Sequence, residues 1–286
     1  IAAMTRALGE SELGVRAGAA LFGSIATIGV AGTAHAAFGL RRATVASAVL
    51  FNLIPFYQVS SLLMTIDMPY VACWALASWC AVEAVLRRRG AAWAALGACV
   101  AAGFLFKYTM VLIVPGIIFA ALIARKSRPR DVSRGAGGWI ALGVLIALAG
   151  LVPVAVWNAE RDWPTVRHLL GHLGVSGGDV PTGREPWTPM WFIEFIGMQV
   201  GLVGPAIFLM LRGVLRTVRG REEDVAARML VWMGLPLIGF YCAVSLVNDA
   251  EGNWAIAGYV TLVALAGRAV TGGMPGPFPA WKLAWI

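Results

Sequence analysis

Between Arg87-Arg88-Arg89 and the basic cluster that starts at Arg125 runs an apolar segment, 91–124, interrupted by a single charge at Lys107. As one helix this segment would be about 50 Å long at about 1.5 Å per residue, against a bilayer core of about 30 Å. The chain must therefore fold back within it. With both basic flanks on the cytoplasmic side, the segment reads as a hairpin whose apex falls at Lys107-Tyr108. Its arms, 91–106 and 108–124, are each just long enough to cross. The ammonium then lies at the outer membrane surface, where a cation is costly without a partner or a task.

The rest of the chain points to the same solvent. With 59% hydrophobic and 13% charged residues, it carries more apolar surface than a soluble domain can cover. The predicted fold class is all-α: a polytopic transmembrane helix bundle forming a single domain over 1–286. The pattern predicts about nine spans, near 17–39, 43–63, 68–86, 91–106, 108–124, 138–157, 188–211, 229–247 and 254–270. The net charge of +8 is not a nucleic-acid signal, because the basic residues concentrate at 41–42, 87–89, 125–134 and 212–228 while the acidic ones fall mostly in the alternate connections. That is the positive-inside pattern, and it excludes nucleic acid as a partner in favour of membrane lipids. Cys73, Cys80, Cys99 and Cys242 all lie in apolar spans without a CxxC or a neighbouring His, so they read as packing residues. The chain opens at Ile1 and closes on Trp281-Lys282-Leu283-Ala284-Trp285-Ile286, and it reads as a piece of a longer protein, truncated at both ends.

Segment 42–87 repeats the hairpin logic, with one acidic residue, Asp67, at its outer turn. Asp67 before Met68-Pro69 suits a helix N-cap. Alternatively, two consecutive hairpins presenting a carboxylate and an amine at one face form a shared polar site. The longest outward connection, 157–187, contains a predicted interfacial helix with Asp162 as cap, Pro164 at its start and Gly174 at its stop. Val166, Leu169, Leu170 and Leu173 line one side of it, and Arg167 and His168 the other. Gly174 to Gly183 reads as a loop able to close over a substrate. His168 and His172 are spaced to share a metal but lack a further ligand, so solvated histidines on an interfacial helix are the simpler reading. The last outward turn, Asn248 to Trp254, offers Glu251 and Asn253 to sugar hydroxyls, and Trp254 either stacks on a sugar or anchors the interface. Glu194 and Gln199 would be costly facing lipid and are expected to point into the bundle.

These stretches, taken in order, resemble the bacterial GT-C glycosyltransferases related to protein O-mannosyltransferases and to the lipid A aminoarabinose transferase. The likeness rests on Gly9-Glu10-Ser11-Glu12-Leu13-Gly14-Val15-Arg16, Thr65-Ile66-Asp67-Met68-Pro69, Gly103-Phe104-Leu105-Phe106-Lys107-Tyr108-Thr109, residues 153–163, residues 194–205 and Asn253-Trp254-Ala255-Ile256-Ala257-Gly258-Tyr259. The resemblance implies a bundle with its active site on outward loops, a polyprenyl-phosphate-linked sugar as donor, and inversion at the anomeric carbon. It further implies that the main general base lies on a loop preceding Ile1. A divalent metal stays open, since members differ.

In such a reaction the departing phosphate gains negative charge, and a fixed cation becomes worth more as that charge grows. Lys107 is the candidate for that role, Asp67 is expected to assist the upstream general base by binding acceptor, sugar or metal, and Tyr108, Arg161, Arg167 and His168 are placed around the phosphate or sugar. Headgroup contact is the competing reading for Arg161, Arg167 and His168. The acceptor is expected to be a hydroxyl on a glycan, lipid or protein. The rival function is a transporter or flippase of lipid-linked saccharides, in which Asp67 and Lys107 would be pathway charges.

Overall fold

The computed structural model describes residues 2–127, 136–172, 178, 188–220 and 224–272. In chain order the helices are α1 (Ala2–Leu8), α2 (Glu12–Phe38), α3 (Arg41–Leu53), α4 (Pro55–Ser60), α5 (Asp67–Val85), α6 (Ala91–Phe106), α7 (Ile113–Ser127), α8 (Ala136–Ala149), α9 (Val152–Ala159), α10 (Pro164–His172), α11 (Met190–Val203), α12 (Ala206–Arg219), α13 (Val225–Ser245) and α14 (Tyr259–Val270). Short 3₁₀ turns, Tyr108–Leu112 and Gly252–Gly258, lead into α7 and α14.

Among the described residues five helical stretches are long and apolar enough to cross a membrane: Glu12–Phe38, Asp67–Val85, Ala136–Ala159, Val225–Ser245 and Gly252–Val270. The pair α11 and α12 would make a sixth, although it bends by 104°. The chain is a multi-pass membrane protein. Two segments that the hydropathy pattern draws as straight spans are broken. The segment 43–63 splits at Ile54, which adopts extended geometry ahead of Pro55, as the residue before a proline tends to. The segment 188–211 turns at Gly204, whose φ of 64° is followed by Pro205.

The centre of the bundle is α5, with Tyr70, Trp74, Ala75, Ala77 and Ala81 fully buried. It packs on α2 and α6, while α14 packs on α2, α3, α12 and α13. Close approach depends on small residues, as expected where lipid supplies no hydrophobic drive between helices. A Cβ on Gly29 of α2 would lie 2.8 Å from the Ala75 backbone, and one on Gly97 of α6 would collide with the Gly143 carbonyl of α8.

The helix ends sort into two faces. At one, Arg87 donates to the carbonyls of Ala36 (3.0 Å) and His35 (3.1 Å), closing the C-terminus of α2. There Arg268 lies 4.6 Å from the centre of the Phe38 ring and pairs with Asp224. The other face carries Asp67, Lys107 and Asn253. Lys107 breaks the apolar run as expected, with extended geometry between α6 and the 3₁₀ turn. The two arms nevertheless diverge, since α6 packs on α5 and α8 and α7 packs on α13.

Candidate functional site

Asp67 is the first residue of α5, and it does not serve as the cap: the preceding position is Ile66, and no side chain caps that helix. The carboxylate turns inward instead. Its Oδ1 accepts from Lys107 Nζ at 2.6 Å, its Oδ2 from the Thr65 hydroxyl at 3.2 Å, and both oxygens lie within 3.4 Å of Asn253 Nδ2. The expected meeting of carboxylate and amine at one face is therefore a direct ion pair. Its side chains are only 10% (Asp67) and 16% (Lys107) exposed. At that burial the attraction is far less screened than at a surface, and the hydrogen bonds from Thr65 and Asn253 offset part of the carboxylate's desolvation.

Among the described residues the Lys107 ammonium has Asp67 as its one hydrogen-bond partner. It also lies 5.7 Å from the centre of the Tyr70 ring, an arrangement that favours a cation. An ammonium has three N–H donors, so the contact with Asp67 leaves donors for a second anion. An apolar cavity of about 620 Å³ is lined by chain neighbours of the cluster, though not by Asp67, Lys107 or Asn253 themselves. Thr109, which lines it, donates to the Tyr70 hydroxyl at 3.3 Å. Tyr108 and Trp254, the chain neighbours of Lys107 and Asn253, also line it. A polar head and an apolar pocket thus adjoin, which is the layout an amphiphile with an anionic headgroup requires.

The far wall of the cavity is α9 and α10, and its placement depends on Asn158. This buried side chain accepts from the Thr165 backbone N–H at 3.0 Å, capping α10 from seven residues upstream. The expected cap, Asp162, is displaced because Asp162 and Trp163 both take left-handed geometry, with φ of 60° and 56°. The Asp162 carboxylate pairs with Arg167 instead. Val166 and Leu169, on the apolar side of α10, line the cavity. The expectations for Leu173, for the side chains of His172, Arg125 and Lys126, for the loop Gly174–Gly183 apart from Gly178, and for the basic residues of 128–134 fall outside the described residues.

Residues 1–157, more than half of the chain, match the family described as dolichyl-phosphate-mannose–protein mannosyltransferase. The chain belongs to this family. Among similar family relatives, the lipid A galacturonosyltransferase RgtD of Rhizobium johnstonii is 34% identical over 176 residues, covering 60% of this chain and 33% of that protein. The undecaprenyl phosphate-alpha-4-amino-4-deoxy-L-arabinose arabinosyl transferase 1 of Pseudomonas fluorescens is 24% identical over 239 residues, covering 81% of this chain and 42% of that protein. The fold is also that of ArnT from Cupriavidus metallidurans, solved bound to undecaprenyl phosphate. That match has a TM-score of 0.70 at 17% identity and covers 94% of this chain and 48% of that one. The chain spans between a third and a half of the length of these relatives.

In this family member the residues singled out from sequence divide into two groups. Asp67, Lys107 and Asn253 converge, with Tyr108 and Trp254 beside them at the cavity. Tyr108 lies 3.4 Å from the Thr165 hydroxyl, and Trp254 packs 5.4 Å from the Tyr241 ring centre. The others stay outside the cluster. Arg161 stacks 5.0 Å from the Trp157 ring centre and pairs with Glu160 at 3.2 Å. His168 lies on the exposed side of α10, and Glu251 is exposed where the 3₁₀ turn before α14 begins. Gln199 is buried as expected, but Glu194 is exposed, because α11 buries only the side that carries Phe195, Gln199 and Val203. For a divalent metal the donor set at this cluster is poor, since the Asp67 carboxylate already faces an ammonium and an amide N–H₂. Among the described residues there is no group of three or more His, Cys, Asp or Glu side chains.

Proposed function

We propose that this chain is the donor-binding portion of an integral-membrane inverting glycosyltransferase, which moves a sugar from a polyprenyl phosphate to an acceptor hydroxyl on the extracytoplasmic face. The observation that carries the reading is the Lys107 ammonium, held by Asp67 and in turn Asn253, with the chain neighbours Tyr108 and Trp254 lining the apolar cavity. The ammonium suits the phosphate, and the cavity suits the first isoprene units of the carrier. Family membership and the relatives' names support transfer over flipping. Placement agrees, because a flippase favours charges near the bilayer midplane, whereas this pair joins the start of α5 to the end of α6.

In the reaction the acceptor oxygen attacks the anomeric carbon from the face opposite the phosphate, and the bond between that carbon and the phosphate oxygen breaks. The departing phosphate keeps the electron pair. Lys107 donates hydrogen bonds to it as its charge grows, which lowers the barrier more than it stabilises the ground state. Asp67 acts here as a positioning residue, holding the ammonium in place. The acceptor's proton passes to a general-base carboxylate. Replacing Lys107 by Ala should lower transfer by about 10²-fold or more, as loss of one transition-state donor does. Near-normal transfer by that variant would sink the assignment.

A further inference from the structure

The buried side of α11 is apolar apart from one residue. Phe195, Gln199 and Val203 recur at i, i+4 and i+8, and each is 2% exposed or less. Gln199 donates from Nε2 to the carbonyl of Gly252 at 2.9 Å, with a longer contact to the Phe195 carbonyl at 3.4 Å. Its Oε1 is buried with no hydrogen-bond partner. A buried amide oxygen without a donor is unfavourable, so the group is tolerated for what its nitrogen holds. What it holds is the turn that leads directly into Asn253.

Gly252 packs closely on α11, where a Cβ would lie 2.7 Å from Met198 Cβ and 3.1 Å from Leu202 Cδ1. The turn is pinned behind as well, where the Tyr57 hydroxyl donates to the Ile256 carbonyl at 2.9 Å. Between these anchors the Asn253 amide reaches both oxygens of Asp67. We infer that Gln199 is a positioning residue for phosphate recognition: it locks the 252–253 turn so that Asn253 holds Asp67, and Asp67 in turn aims the Lys107 ammonium. This rests on the proposed role of Lys107 and adds a residue that touches neither substrate nor the ion pair.

The test compares the affinity of the purified protein for undecaprenyl phosphate and for uncharged undecaprenol. Gln199→Met keeps the volume of the side chain and removes the donor. It should weaken undecaprenyl phosphate by about tenfold, the worth of roughly one hydrogen bond, and leave undecaprenol unchanged. Gln199→Glu, which sets an acceptor against the Gly252 carbonyl, should do at least as much. In an Asn253→Ala background Gln199→Met should add nothing further. Unchanged phosphate affinity, equal weakening of both lipids, an additive loss in the double variant, or failure of both Gln199 variants to fold would each overturn the inference. Lys107→Ala serves as the control. If it too leaves undecaprenyl phosphate affinity unchanged, the reading of Lys107 itself fails, and if only Gln199→Met is silent, the inference fails alone.

Discussion

Removing the Asp67 carboxylate should be one of the most damaging single changes in this bundle. Asp67→Ala leaves the Lys107 ammonium at a site where its side chain is 16% exposed, with the Tyr70 ring as its remaining attraction. Breaking a buried pair from one side costs about 3–5 kcal/mol. The residual exposure and the ring contact, worth about 0.5–2 kcal/mol, place this case near the lower limit, about 3 kcal/mol. At roughly 2–4 °C per kcal/mol for a domain of this order of size, the melting temperature in detergent should fall by about 6–12 °C. Asp67→Asn keeps the volume and one acceptor, so it should lose less. Combining Asp67→Ala with Lys107→Met removes the unpaired charge and should recover part of the loss. The readout is fluorescence-monitored thermal unfolding of the purified variants. An Asp67→Ala melting temperature within about 2 °C of the parent, which is below about 1 kcal/mol, would refute the claim that the pair is dry enough to matter.

Asn158→Ala removes the cap of α10 and should cost about 1 kcal/mol, read as faster proteolysis within 160–172 and weaker retention of a fluorescent polyprenol in the cavity; unchanged proteolysis would show that α10 is held by other means. In a cysteine-free background, Glu251→Cys should react with a membrane-impermeant maleimide in intact cells and Arg88→Cys only after permeabilisation. The reverse pattern would place the Lys107 site on the cytoplasmic side.

Several of these features were legible before any coordinates. Segment 91–124 is too long for one crossing and too short for two with a loop between, so its only charge had to mark the turn. Counting basic ends then put Asp67 on the same face as Lys107. Legibility stopped where a decision belongs to tertiary contact. Asn253 lies 186 residues from Asp67 in the chain, and nothing local says that its amide reaches that carboxylate. The cavity is assembled from α6, α9, α10, α13 and two 3₁₀ turns, and no one of these shows a pocket by itself. Two misreadings did have a local signal. Ile54-Pro55 and Gly204-Pro205 are breaker pairs, overlooked because the surrounding hydropathy was continuous. The Asn158 cap had no such signal, since it depends on two successive left-handed residues, one of them the bulky Trp163.

The central claim is that the Lys107 ammonium recognises the phosphate of a prenyl carrier, and binding of the two lipids to Lys107→Ala measures this most directly. The account predicts that undecaprenyl phosphate loses its advantage over undecaprenol, by about tenfold or more, while undecaprenol binds as before. Retention of the full preference for the phosphorylated lipid would contradict it.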